Sequence, residues 1–212
     1  MLVPEVAAGA AIELDDLRAA CRAALAHLAN ASVDSLIVVG ADTSTVRRDP
    51  PFGGTLTPWG IDLPVGTPGG GPLPLSLLIG AWLAPYAENF QSVAADASPA
   101  DCAALGRSLA GEADRVGLLV LGDASACRGE KSPGYADPRA EDFDAAVATA
   151  LAKADTQALL AIDPQVAAEL LAVGRAPWQV LAGAAHENTY PQAELLHDSA
   201  PYGVGYLVAS WR

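Results

Sequence analysis

The chain has 212 residues, a length that fits one α/β domain with a sizeable core. Its formal net charge of -13 argues against nucleic acid and anionic membranes as partners, since both would repel the chain. Its three cysteines form no CxxC pair and favour neither a disulfide framework nor a zinc site. No leader pattern and no apolar run of about 18 residues occurs, so we predict a soluble, cytoplasmic protein.

The first third of the chain is predicted to contain one helix, one strand and a long irregular segment. The start, MLVPEVAAGAA, is predicted to be extended. A buried strand is predicted at Ser35–Gly40, and the Gly/Pro-rich stretch Ala41–Pro74 shows almost no periodicity, which is typical of functional or mobile segments. The helix begins near Leu14, where apolar residues recur at helical spacing: Leu14, Leu17, Cys21, Leu25 and Leu28.

Helices and strands alternate in the rest of the chain. The predicted elements are a helix at Leu75–Tyr86, a strand at Phe90–Ala95, a helix at Pro99–Asp114 capped by Ser98, a strand at Val116–Leu121, a helix from Asp137 to about Ala154, helical pieces in Thr156–Ala185 broken at Pro164 and Pro177, and a closing strand in Tyr202–Trp211. This alternation predicts a single α/β domain with a mainly parallel sheet flanked by helices. We expect Leu36–Val39, Val116–Leu121 and Val204–Ala209 in its central strands.

Two predicted strands open into polar loops. Asp42 and Thr43 follow the first strand, and LGDASACRGEKSPGYADPRAEDFD follows Val116–Leu121, with Asp123, Ser125 and Cys127 near its beginning. Parallel sheets form their crevice at the carboxyl ends of the strands, so we expect these five residues to lie close together. Asp123 is either a functional acid or a carboxylate that caps the loop. Ser125 and Cys127 are possible nucleophiles, although no G-x-S-x-G elbow is present.

Histidine is scarce, and its three positions do not indicate a metal centre. His27 lies within an amphipathic helix and His197 lies beside Asp198, which favours surface roles for both. His186 ends a helix, where a cationic side chain suits the helix dipole, and we include it among the candidate residues that line the cleft. Metal binding by His186 with Glu187 is conceivable, but adjacent helical residues point in different directions. We therefore predict no metal site and no cofactor.

The loop after Val116–Leu121 resembles one in the class III extradiol dioxygenase B-subunit superfamily. There a strand ends in Gly-Asp-Leu-Ser-His or similar, followed by a Gly-Tyr-Asp-Pro-Arg-like turn and a Phe-Asp helix start. The segments LVPEV, LIVVGADT, PWQVLAGAA and APYGVGYLVASW occur in the same order as in small bacterial members of that group. The resemblance covers nearly the whole chain and implies the α/β fold of these B-subunits.

Active members of that superfamily hold ferrous iron with two histidines and one glutamate, and open a catechol-like ring with dioxygen. The resemblance implies the first histidine upstream of LVPEV and the second at Thr43, after Asp42. The acid/base histidine matches Ala126 or Cys127, and the glutamate matches Gly174, four residues before Trp178. None of these positions carries the family's residue.

Three hypotheses follow. The first is a degenerate superfamily member that binds an aromatic small molecule or a protein partner in the inherited cleft; a homo-oligomer stays open. The second is an enzyme, either a non-heme iron ring-cleavage dioxygenase or other metal-dependent oxidoreductase, or a different chemistry built on Asp123, Ser125, Cys127 and Lys131. The third is that the true start lies upstream of Met1 and that the chain lacks its first strand.

Overall fold

The apolar run Leu36–Val39 lies within β1 (Ser35–Asp42), the central strand of the main sheet. The structure is a computed structural model that describes residues 2–185 and 190–212. The other strands of the described residues are β2 (Val46–Arg48), β3 (Phe52–Thr55), β4 (Pro64–Gly66), β5 (Gly71–Pro72), β6 (Asn89–Ala94), β7 (Val116–Leu121), β8 (Glu194–Ser199) and β9 (Tyr206–Ser210). Their helices are α1 (Pro4–Ala7), α2 (Asp15–Asn30), α3 (Leu75–Leu83), α4 (Pro99–Ala110), α5 (Ala140–Lys153), α6 (Thr156–Leu160), α7 (Pro164–Glu169) and α8 (Arg175–Ala185), with 3-10 turns at Ala8–Leu14 and Thr57–Trp59.

The main sheet has the strand order β2-β6-β1-β7. β1 pairs in parallel with both β6 and β7, and only the short β2 is antiparallel to its neighbour β6. Helices cover both faces: Val38 packs in one apolar cluster with Leu77 of α3, whereas Ile37 packs in another with Val180 of α8. The prediction of an α/β domain with a mainly parallel sheet flanked by helices is confirmed. No helix among the described residues is long and apolar enough to cross a bilayer.

Two predictions about central strands are wrong. β9, which contains most of the predicted Val204–Ala209 segment, pairs antiparallel with β8 in a separate two-stranded sheet. β7 is a strand as predicted, but it lies at the edge of the main sheet. Both segments carry the apolar pattern of covered strands, and that pattern does not specify which backbone edges are paired.

Three further expectations are corrected. Ala41–Pro74 is not irregular throughout: β3 pairs with β4 and β5 in a small sheet, where Gly53 allows the close backbone approach of Thr67. The expected extended start is largely helical, with α1 followed by the 3-10 turn. Pro177 does not break its helix, because it lies in the first turn of α8, where its missing N–H costs no intrahelical bond.

Helices α4 and α8 approach each other through glycine. A Cβ atom on Gly183 of α8 would lie 2.3 Å from the carbonyl oxygen of Ala103, and one on Gly106 of α4 would lie 2.0 Å from that of Val180. No real side chain tolerates such distances, so the two helices pack backbone to backbone. This contact holds α8 against the face of the sheet that β1 and β7 share.

We expect Gly183→Ala to lower the free energy of unfolding by about 1–3 kcal/mol, because the added methyl group forces the two backbones apart. Gly129→Ala is the matched control, since a Cβ atom there meets nothing within 4 Å. Urea unfolding followed by far-UV circular dichroism measures both variants. Equal stability of the two variants would contradict the close packing of α4 on α8.

Candidate functional site

A cleft of about 1240 Å³ lies between β7, β9 and the helices α2 and α8. Its walls are mainly apolar, with leucines and alanines from both helices and both strands. Its aromatic lining residues are Trp59, Trp178, Tyr190, Tyr206 and Trp211. Large, mainly apolar clefts with a few convergent polar groups are the usual form of a small-molecule site.

Three of the predicted site residues, Asp42, Thr43 and Asp123, line this cleft together. Gly40 of β1 is in register with Leu121 of β7, so the two chains leave neighbouring parallel strands at the same edge of the sheet. Asp42 is the last residue of β1, and its Oδ2 accepts a hydrogen bond from Arg48 at 2.6 Å. Its Oδ1 accepts one from the backbone N–H of Thr43 at 2.8 Å. The Asp42 carboxylate is therefore held in place by two charged or polar partners.

Asp123 and Tyr206 both line the cleft, and we call the part that they line its polar end. Asp123 is exposed to solvent, and partial desolvation by the neighbouring atoms of the cleft raises its carboxyl pKa. Burial raises the phenol pKa of Tyr206, and the charge of Asp123 raises it further. The phenol O–H can donate a hydrogen bond and the carboxyl group can accept one. Tyr206 was missed as a site residue because its pattern indicated only a strand.

Ser125 does not face the cleft but is bound to a buried carboxylate. Its Oγ donates to Oδ2 of Asp144 at 2.7 Å, and its backbone N–H donates to Oδ1 at 2.9 Å. Both residues are almost fully buried. Desolvation raises the pKa of Asp144, while the two bonds from Ser125 and the charge of Arg128 oppose the shift. This pair fixes the loop to α5 rather than activating a nucleophile.

Cys127 is also buried away from the cleft. Its Sγ lies 3.4 Å from the carbonyl oxygen of Leu170 and 3.5 Å from that of Gly134, and burial raises the pKa of the thiol. A thiolate is therefore disfavoured at this position. The loop is tied further by backbone bonds from Gly205 to Ser125 and from Arg128 to Gly203. The loop has a structural role around Ser125 and Cys127, and only its first acid reaches the cleft.

The histidines do not assemble a metal site among the described residues. His27 Nδ1 lies 3.1 Å from Ser210 Oγ, and His197 Nε2 lies 2.7 Å from Ser199 Oγ. No group of three His, Cys, Asp or Glu residues within residues 2–185 and 190–212 is placed to hold a metal ion. His186 and its neighbour Glu187 lie outside the described residues. The prediction that His186 lines the cleft therefore lies outside them as well.

The residues at the positions implied for iron ligands do not fit iron. Gly174 has no side chain, and a Cβ atom there would lie 2.6 Å from Trp178 Cζ2 and 2.7 Å from the carbonyl oxygen of Asp123. A glutamate at this position would require the backbone to move. Thr43 offers a hydroxyl in place of an imidazole. At the position implied for the acid/base histidine, which is not an iron ligand, the thiol of Cys127 is turned towards carbonyl oxygens. This set of atoms lacks the two imidazoles and one carboxylate of a facial triad.

No known protein-family model matches the chain, and no curated protein matches it in sequence. The class that the fold and cleft define is an α/β protein with a polar-ended apolar cleft at the carboxyl edge of a parallel sheet.

We expect the stability of the protein to depend on pH through Asp144. Its folded pKa lies above the unfolded value, so the folded state binds more protons in the interval between them. Relative to an Asp144→Asn variant, the free energy of unfolding should be highest below the ordinary aspartate range and should fall as the pH rises through the folded pKa. Urea unfolding of both proteins at a series of pH values measures this difference. A difference that rises with pH would contradict the burial of this carboxyl group.

Proposed function

We propose that the protein is a binding module of the class III extradiol dioxygenase superfamily that takes an aromatic small molecule bearing a hydroxyl group and does not cleave its ring. The observation that carries the proposal is the presence of Asp123 and Tyr206 together in the lining of an apolar, aromatic-lined cleft. The membership itself is supported by the parallel sheet and by the order of the segments described above.

The chemistry of the cleft suits recognition of a phenol or a catechol. The ring of such a ligand packs against Trp178 and its apolar neighbours, which favours it over water. Its hydroxyl groups exchange hydrogen bonds with the Asp123 carboxyl and the Tyr206 phenol.

Three free cysteines are consistent with a reducing compartment, and we propose on that ground that the protein is cytoplasmic.

Binding of 2,3-dihydroxynaphthalene tests the proposal. We expect saturable binding by isothermal titration calorimetry, weakened about 2- to 10-fold by Asp123→Asn or Tyr206→Phe. The first variant replaces a charged acceptor by a weaker neutral one and the second removes a hydrogen bond, and each change costs about 0.5–1.5 kcal/mol. Asp62→Asn is the matched control: it removes the same charge at an exposed residue that does not line the cleft. In air the diol should be recovered unchanged. Absence of binding, or equal affinity in all variants, would refute the proposal.

A separate measurement addresses iron. After anaerobic incubation with ferrous iron and desalting, we expect well under one iron per chain by mass spectrometry of the metal, because Thr43 and Gly174 supply neither the imidazole nor the carboxylate that a facial triad needs at their positions. His186→Ala and the control His197→Ala should not change this result. One iron per chain, lost in His186→Ala and kept in His197→Ala, would restore the dioxygenase alternative.

A further inference from the structure

The cleft is bounded on two sides by the open edges of strands. All residues of β7 and all residues of β9 line it, without the alternation that a strand face would give. β7 pairs only with β1, and β9 pairs only with β8. Within the described residues, no further backbone hydrogen bond is made by Val116–Leu121 or by Tyr206–Ser210. Two strand edges that have no further backbone partner among residues 2–185 and 190–212 therefore border the same cleft.

The helical layers of the main sheet continue across this gap. On one face, Leu25 of α2 packs in the same cluster as Leu119 and Leu121 of β7, and His27 contacts Ser210 of β9. On the other face, Trp178 of α8 packs in one cluster with Val120 of β7 and Leu207 of β9. The gap thus has a strand edge on each side, one helix above and another below. It has the surroundings of a strand in the middle of an α/β sheet.

The length of the two bounding strands sets the length of a segment that pairs with both. β7 has six residues and β9 has five. Because a strand rises about 3.3 Å per residue, a segment of about six residues pairs along the whole of β7.

We propose that this gap is a docking slot for a partner polypeptide, which enters as an extended segment of about six residues, apolar on both faces, and joins β7 to β9 in one sheet. A second copy would have to give up a strand that is already paired, because every strand of the described residues has a neighbour in its own sheet. This inference goes beyond the small-molecule proposal and does not rest on it.

The charges that line the slot favour a docked segment with basic residues at both of its ends. Asp114 and Asp123 lie just outside the two ends of β7 and line the cleft. The two arginines that line it are already ion-paired, Arg115 with Asp34 and Arg212 with Glu194. A segment with an apolar centre and flanking lysines therefore complements the slot.

The probe is a peptide with the sequence of Ser35–Asp42, flanked by lysines, because that strand already fits beside β7. When the peptide binds, we expect hydrogen exchange to slow at β7 and β9 together. Cys21 lines the slot from α2, and its alkylation should slow about tenfold at a free peptide concentration of about nine times the dissociation constant. Cys102 and Cys127 are buried internal controls. The same peptide N-methylated at every residue of Ser35–Asp42 should protect neither strand, because it has then lost its backbone donors towards both neighbours.

Variants of α2 provide a second test. Ala24 lines the slot and Ala26 lies on the exposed side of the helix. Ala24→Trp should abolish protection by the peptide, and Ala26→Trp should leave it unchanged. Protection of one strand alone, equal protection by the methylated peptide, or no saturable protection of the wild-type chain would overturn the slot. Weaker diol binding in Tyr206→Phe with intact peptide protection would separate this inference from the small-molecule proposal, because the peptide pairs with the backbone of β9 and not with the phenol of Tyr206.

Discussion

A buried arginine fixes the helix on which the cleft depends. Arg175, the first residue of α8, is almost fully buried and donates to the carbonyl oxygens of Ala95 and Ala97 in the loop after β6. It also donates to Gln179 at 3.0 Å, and Gln179 donates to three carbonyl groups at the end of α6. An unsatisfied buried donor costs about 1–3 kcal/mol, and a displacement of α8 would leave several of these donors unsatisfied at once. The hydrogen bonds of Arg175 and Gln179 therefore fix the position of α8 relative to the sheet.

The position of α8 determines the chemistry at the polar end of the cleft. The residue before the helix, Gly174, donates its backbone N–H to the carbonyl oxygen of Asp123 at 2.9 Å, and a Cβ atom on Gly122 would lie 2.5 Å from the Cα atom of Gly174. The same contact places the Asp123 side chain at the cleft and removes the space for a carboxylate at position 174. Recognition through Asp123 and Tyr206 is compatible with this packing, whereas an iron ligand at Gly174 is not.

The sequence predicted those features that depend on local patterns. The apolar runs of β1, β6 and β7 and the Ser98 cap, which accepts from Asp101 at 3.1 Å, are readable over a few residues. The orientation of Ser125 and Cys127 was not readable, because their partners Asp144 and Leu170 are 19 and 43 residues away. The small sheet β3–β5 was missed for the same reason: its glycine-rich strands are stabilised by pairing, with little intrinsic strand preference.

The hairpin β8–β9 shows where a sequence pattern stops being informative. Leu207 and Ala209 pack with Trp178 and α5 on one face, while Ser210 contacts α2 on the other, so β9 is covered on both faces like a central strand. The apolar residues of Tyr202–Trp211 therefore correctly predicted a strand that is covered on both faces. They wrongly predicted which strands lie beside it in a sheet. Side chains report how many faces of a strand are covered, because they point to the faces. Edges are formed by backbone groups, which are the same in every residue except proline. Which strand lies beside β9 is consequently decided by the path of the whole chain and by any polypeptide that fills the remaining edge.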